Sequence, residues 1–341
     1  MSWQSTVRPV VEDVACTSGV PGIVVALACG TAAPDHLVVG TDAAGVPLAS
    51  DSLFPVASIT KLATALAVLR LVAAGELDLD EPLARHLPDA TAAGDAPTLR
   101  DLLRHTAGLP DDLAASAAPY NAGLDWPRLR RACLATAIVE PVGKQIRYSN
   151  VGFGLLAIVV ERVTGRQFPA ALTELVLAPL GVEGYLGVEP PRPPARIAGD
   201  LGDEAGTDLE TLNSAFWWSL ALPWGGMVAT AAGALTLARA FAGVPSGFLP
   251  ASLLTEATHD QTPGLDGTLL GLPFAPSPWG LGVELSSTKE PHWSPQQASP
   301  GSIRPPASPG HRSARGPSRR GGPAGRRSAP RSWPQPANPC P

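Results

Sequence analysis

Two stretches of the chain carry apolar residues on every side rather than along one face. From Ile59 to Ala74 nearly every position is apolar or small, with Gly75 as a stop, and "GFGLLAIVVERVTG" (152–165) repeats the pattern. Such segments predict helices buried all round. Further helical patterns cover 98–108, 126–137 and 231–243, separated by loops rich in Gly, Pro and Asp. Upstream, "GIVVALACG" (22–30) and "HLVVG" (36–40) have the β-branched content and flanking Gly and Pro of strands. "SLFPVAS" (52–58) is a further extended piece, and "WGLGVEL" (279–285) reads as a strand again. Two or three strands thus precede any long helix. The order strand, helical middle, strand predicts an α+β fold, with an antiparallel β-sheet flanked by helices and a mainly helical second region.

Composition changes this picture only toward one end. At 45% hydrophobic over 341 residues, the chain can bury a large core. The last 42 residues, 300–341, contain eleven Pro, eight Arg, six Gly and six Ser and no acidic residue, too little apolar surface to fold. The expected organisation is a folded domain over 1–299, with a charge of −13 from 17 basic and 30 acidic residues, and a disordered tail over 300–341. The tail's arginines lack interleaved aromatics apart from Trp333, so they read as solvated charge and predict no specific nucleic-acid partner.

The four cysteines, Cys16, Cys29, Cys133 and Cys340, lack CxxC spacing, so neither a metal nor a disulfide framework is expected and reduced thiols are the default. No segment reaches the roughly 18 consecutive apolar residues of a membrane span. "MSWQSTVRPVVEDVACTSG" has no apolar run of the kind a secretory signal needs, so a cytoplasmic protein with no membrane partner is expected.

The candidate chemistry starts at "FPVASITKLATAL" (54–66), where Ser58 precedes Lys61 by three residues. Spacing alone is weak evidence, since about one Ser-x-x-Lys is expected by chance in a chain this long. Ser286 and Lys289 share it, in a polar stretch beside a proline. Ser58 differs in context. Positions three apart on a helix share a face, and long side chains point toward the N-terminus, so the Lys61 ammonium would lie against the Ser58 oxygen. Lys61 is also the only charge between Ser58 and Arg70 on a helix that otherwise reads as core, and desolvation lowers the pKa of such a lysine. The plain alternative is a capping serine beside a lysine that snorkels to solvent.

"IRYSNVGFGLL" adds Tyr148 and Asn150 just before the second buried helix. A tyrosine held against an ammonium can populate the phenolate and accept a hydroxyl proton, and an asparagine amide can accept from a lysine while donating to a carbonyl. A helix-capping asparagine beside an interfacial tyrosine is the structural alternative. Gly152, Gly154 and Ala157 match GxGxxA, but no buried strand precedes them and no ribose-binding acid follows, so no cofactor is expected. His105, in "RHTAGL", reads as a structural loop residue rather than a catalyst.

Taken in order, "VASITKLATA", "TLRDLLRHTAGLP" and "RYSNVGFGLLAIVVERVTG" resemble the serine β-lactamase-like family, which includes class C β-lactamases, penicillin-binding DD-peptidases and related esterases, over roughly residues 5–295. The resemblance implies an acyl-enzyme mechanism: Ser58 as nucleophile, Lys61 as proton relay, Tyr148 as general base, and Asn150 as a ligand for Lys61 and substrate. It also implies that the backbone N–H of Ser58 forms half of the oxyanion hole. "LPWGGMVATAAGALTLARAF" (222–241) resembles the family's Gly-rich turn and helix, which makes Gly225 and Gly226 candidate substrate-binding positions.

One family element is missing. A strand bearing His-x-Gly or Lys-Thr-Gly, two further strands and a terminal helix should follow residue 300, yet no His-x-Gly occurs in the chain. The Arg, Pro, Gly, Ala and Ser composition of the tail is that of GC-rich codons read out of frame. The expectation is therefore an incomplete domain followed by a frameshifted reading, against the alternative of a genuine disordered tail. The function expected is hydrolysis of a carboxylic ester or related small acyl substrate, with β-lactamase or DD-peptidase activity as alternatives within the class. An inactive remnant that binds acyl ligands is the alternative outside it.

Overall fold

The chain opens with a helix that its hydrophobic pattern does not announce. α1 (Trp3–Ser18) starts at Ser2, whose side chain accepts from the Ser5 N–H, and closes at Gly19 with a φ of 66°. It precedes every strand, which corrects the expectation that strands come first. Pro9 lies within it and only Val11 is buried, so there was no apolar stripe to read. Trp3 Nε1 and Gln4 Nε2 donate to Asp35 at 2.7 and 2.6 Å, tying α1 to the strand pair that follows. The computed structural model describes residues 2–199, 201–269, 272–274 and 278–285. The tail at 300–341, the missing C-terminal strands and the Ser286–Lys289 pair lie outside the described residues.

β1 (Gly22–Leu27) and β2 (Asp35–Gly40) form an antiparallel pair with Gly22 opposite Gly40. β3 (Leu53–Pro55) leads through a 3-10 turn at Ala57–Ile59 into α2 (Thr60–Ala73). Eleven of the fourteen residues of α2 are buried, so the helix is core on nearly every side. α3 (Leu99–Leu103) is shorter than the 98–108 pattern suggested. It ends because Gly282 N–H takes the Leu103 carbonyl and His105 turns the backbone to a φ of 60°.

α4 (Trp126–Ala135) and the short strand β4 (Ile146–Arg147) come next, followed by α5 (Asn150–Thr164), whose first eleven residues are all buried. α5 packs against α2, α3 and α4 and is the central helix of the helical region. β5 (Gly184–Tyr185) and β6 (Val228–Thr230) complete the order β3-β6-β5, both pairs antiparallel. α6 (Ala231–Phe241) runs from β6 across β1.

β7 (Gly267–Leu269) pairs antiparallel with β8 (Leu272–Phe274) but parallel with β4, so not every described pair follows the antiparallel expectation. The segment 279–285 is not a strand. Trp279 and Glu284 form one isolated bridge around a turn in which Gly282 has a φ of 82°. A side chain at Gly282 would collide with Ala65 of α2, so this turn lies directly on the buried helix. Cys29 is an exposed free thiol and Cys133 a buried one.

The α4–α5 contact gives a test of how tightly this core is fitted. A Cβ at Gly154 would lie 2.5 Å from Cys133 Sγ and 3.1 Å from the Trp224 ring. Gly154→Ala is expected to cost about 1–3 kcal/mol by overpacking, read as a lowered urea midpoint. Adding Cys133→Ala should recover part of the loss; a neutral Gly154→Ala would show the contact to be loose.

Candidate active site

The turn that carries Ser58 is held from both sides. Pro55 pairs with Val228 in the sheet, and the next N–H, that of Val56, donates to the Met227 carbonyl at 2.9 Å. Ala57 then adopts a φ of 44°, a left-handed conformation that strains an alanine by about 1–3 kcal/mol and aims the chain into the 3-10 turn. Thr60 Oγ1 donates to the Ala57 carbonyl at 2.7 Å and accepts from the Met227 N–H at 3.1 Å, closing the turn. Ser58 emerges half-buried at the first turn, where N–H groups have no intrahelical acceptor.

Lys61, one turn on and only 4% exposed, is met on three sides. Its Nζ lies 3.2 Å from Ser58 Oγ, 2.8 Å from Asn150 Oδ1 and 2.9 Å from the Trp224 carbonyl. It also sits over the Tyr148 ring, 4.6 Å from the centroid, with the Phe153 ring at 5.7 Å. Burial drives its pKa down to about 7, against the opposing pull of the Asp112 carboxylate.

Tyr148 and Asn150 reach Lys61 because the segment before α5 is anchored at every residue. Tyr148 N–H donates to the Thr268 carbonyl at 3.1 Å, Ser149 N–H to His105 Nδ1 at 3.0 Å, and Asn150 N–H to the Asp111 carbonyl at 2.8 Å. The cap of α5 is Ser149, whose Oγ accepts from Gly152 N–H, rather than Asn150. That frees the Asn150 side chain to accept from Lys61 and to donate to Asp112 Oδ2 at 3.3 Å. The Ser58 side chain is the polar neighbour that most favours ionisation of the Tyr148 hydroxyl. Burial raises the tyrosine pKa, the Ser58 side chain opposes this and the Glu284 charge adds to it, which favours the neutral phenol.

Gly225 and Gly226 directly follow Trp224, whose carbonyl meets Lys61. Both N–H groups go to the Leu222 carbonyl, at 3.1 and 2.8 Å, and a Cβ on Gly226 would lie 2.7 Å from the Leu222 nitrogen. They form the tight turn that presents the Trp224 carbonyl to Lys61 and the Pro223 carbonyl to Thr64 Oγ1 at 2.6 Å.

The sequence reading missed Trp224, Asp112, Phe153 and Trp279. Asp112 follows "HTAGLPD" (105–111) and is the second of the paired acids Asp111 and Asp112 there, a signal that could have drawn attention to it. A backbone carbonyl such as that of Trp224 leaves no trace in residue type. Asp112 has a raised pKa, from burial first and from Asp111 last, opposed by the Leu113 N–H, Asn150 and Lys61. Arg147, the nearby guanidinium, is committed to Asp111 at 2.7 Å and Glu140 at 2.6 Å. No group of residues able to hold a metal ion occurs among the described residues. No described helix is long and apolar enough to cross a membrane.

A family model described as Beta-lactamase matches residues 6–329, a span that runs past the resemblance read from motifs. Esterase EstB of Burkholderia gladioli is 36% identical over 253 residues, covering 64% of this chain and 64% of the esterase. Penicillin-binding protein 4 of Amycolatopsis lactamdurans is 32% identical over 203 residues, covering 57% of this chain and 52% of that protein. The chain thus spans less than two thirds of the length of either relative. D-amino acid amidase from Ochrobactrum anthropi SV3, in its complex with L-phenylalanine, matches in structure with a TM-score of 0.66 at 26% identity, over 84% of this chain and 82% of that one. A family match over most of its length, on an α+β fold shared with such enzymes, means that this chain belongs to the Beta-lactamase family of serine hydrolases.

Proposed function

We propose that this chain hydrolyses a carboxylic ester or related acyl compound through an acyl-enzyme on Ser58. The observation that carries the reading is the bonding of Lys61. A neutral amine has two hydrogens and one lone pair, and two of its three partners, Asn150 Oδ1 and the Trp224 carbonyl, can only accept. The lone pair is therefore left for the Ser58 hydroxyl at 3.2 Å, and a pKa of about 7 keeps the neutral form populated at neutral pH.

In acylation Ser58 Oγ bonds to the substrate carbonyl carbon while its proton passes to Lys61. The leaving oxygen departs with the Tyr148 hydroxyl proton, which leaves a phenolate facing an ammonium. In deacylation the phenolate takes a proton from the attacking water, and Lys61 returns its proton to Ser58. Tyr148 is thus the base for water, while Lys61 is the base for the serine. The Ser58 N–H supplies one oxyanion donor. The second donor, expected from a His-x-Gly strand, has no such motif in the sequence to supply it. The ester is preferred as substrate because an esterase is among the most similar relatives.

An active-site serine phosphonate should label the parent protein and the Ser286→Ala variant but not Ser58→Ala, as read by intact mass. Turnover of a short-chain nitrophenyl ester should fall on the order of 10⁴-fold or more in Ser58→Ala. Undiminished labelling of Ser58→Ala sinks the assignment, and preferential turnover of a chromogenic cephalosporin would move the substrate to the β-lactams.

The proton inventory gives a separate prediction. Because the neutral amine is the active form, kcat/KM should rise with pH through a midpoint near the Lys61 pKa of about 7. Asp112 holds that pKa up, so Asp112→Asn should move the midpoint to lower pH. A flat profile between about pH 5.5 and 8.5 would remove Lys61 as the base.

A further inference from the structure

We infer that His105 is the positioning residue for Tyr148, an inference that rests on the role proposed for that tyrosine. His105 brackets it. The His105 carbonyl accepts the Arg147 N–H at 2.7 Å, and its Nδ1 accepts the Ser149 N–H at 3.0 Å, so one residue fixes the backbone on both sides of Tyr148. The imidazole also packs on the Tyr148 ring, with centroids 4.5 Å apart and a 31° tilt. Phe153 and Trp279 enclose it at 5.1 and 4.7 Å.

The residue type answers three demands that no apolar residue meets together. The backbone φ of 60° suits His, Asn and Asp better than most side chains. The ring supplies a flat face for Tyr148. Its Nδ1 supplies an acceptor, which requires the tautomer protonated at Nε2. That Nε2 is buried with no hydrogen-bond partner among the described residues, a cost that a phenylalanine would avoid. What a phenylalanine would lose is the acceptor for Ser149. Burial, and then the Lys61 charge, hold the imidazole neutral, which is the state the Ser149 bond needs.

The test compares nitrophenyl ester kinetics in the full chain. His105→Phe keeps the ring and loses the acceptor, and should lower kcat on the order of 10²-fold with KM within about twofold, the size expected for a misplaced catalytic group. His105→Asn keeps an acceptor near the Nδ1 position and tolerates the backbone, and should hold kcat within about tenfold of the parent. In a Tyr148→Phe background, His105→Phe should have little further effect on kcat, because it acts through the missing hydroxyl.

Parent-like kcat in His105→Phe, an equal loss in His105→Asn, or a full multiplicative loss in the Tyr148→Phe background each overturns the inference. Should His105→Phe not fold, by circular dichroism and urea unfolding, His105→Leu supplies the acceptor-free arm. Failure of the underlying reading is distinct: phosphonate would then still label Ser58→Ala, and both would fall together.

Discussion

An amine buried in an apolar helix has to be satisfied on three sides, and the fold around it is arranged to do so. Water cannot reach Lys61 to compensate for lost hydration, so each hydrogen needs a protein acceptor and any remaining charge is costly. The acceptors come from far along the chain, Asn150 at the start of α5 and the Trp224 carbonyl before β6. The Gly225–Gly226 turn, the Ser149 cap and the contact between α2 and α5 can all be read as consequences of that one requirement. Two acceptors that cannot donate leave the lysine lone pair one direction in which to point.

The two ionisable partners of Ser58 are pushed in opposite directions by the same burial. Desolvation disfavours the charged form of each, which lowers the lysine and raises the tyrosine. Above a pH of about 7 both are largely neutral, so the pocket need not stabilise an ion pair in the resting state. In the proposed mechanism charge separates between them only when a proton has left the serine and another has gone to the leaving group. Asp112, linked to Lys61 through the Asn150 amide, sets how much ammonium the pocket tolerates.

Much of this was legible in residue types. Helices α2 and α5 were visible because a long run of small and apolar residues broken by few charges is stable in water only when it is buried on all sides. Ser58, Lys61, Tyr148 and Asn150 stood out as candidates by their setting at the starts of those helices, and their roles came from the family resemblance rather than from spacing. Elements without a hydrophobic face were not legible. α1, with Pro9 inside it and only Val11 buried, left no periodic signal. The turn at 279–285 has a strand's composition, but Gly282 at a φ of 82° bends it onto α2. The Gly225–Gly226 pair was recognised as a turn, yet its role depends on where the Trp224 carbonyl points, and backbone direction is invisible in sequence. His105 was read as a structural loop residue, and which N–H its ring accepts could not be seen in residue type.

The serine-lysine spacing carried so little information by itself for a related reason. Ser58 and Lys61 are three residues apart, but the bonds that define the lysine's chemistry span 89 and 163 residues. The tyrosine segment is in turn fixed by His105 and Asp111 of one loop and by Thr268 of β7, two other parts of the chain. A Ser-x-x-Lys on a solvated loop has none of these partners, and its lysine keeps an ordinary pKa and three hydrated hydrogens. The reactive arrangement is therefore a property of the assembled core, in which α2, α5, the Trp224 turn and the bridge at Trp279 close on one another. Loosening any of those contacts should detune the lysine before it exposes the serine, because the pKa depends on the exclusion of water from the whole pocket.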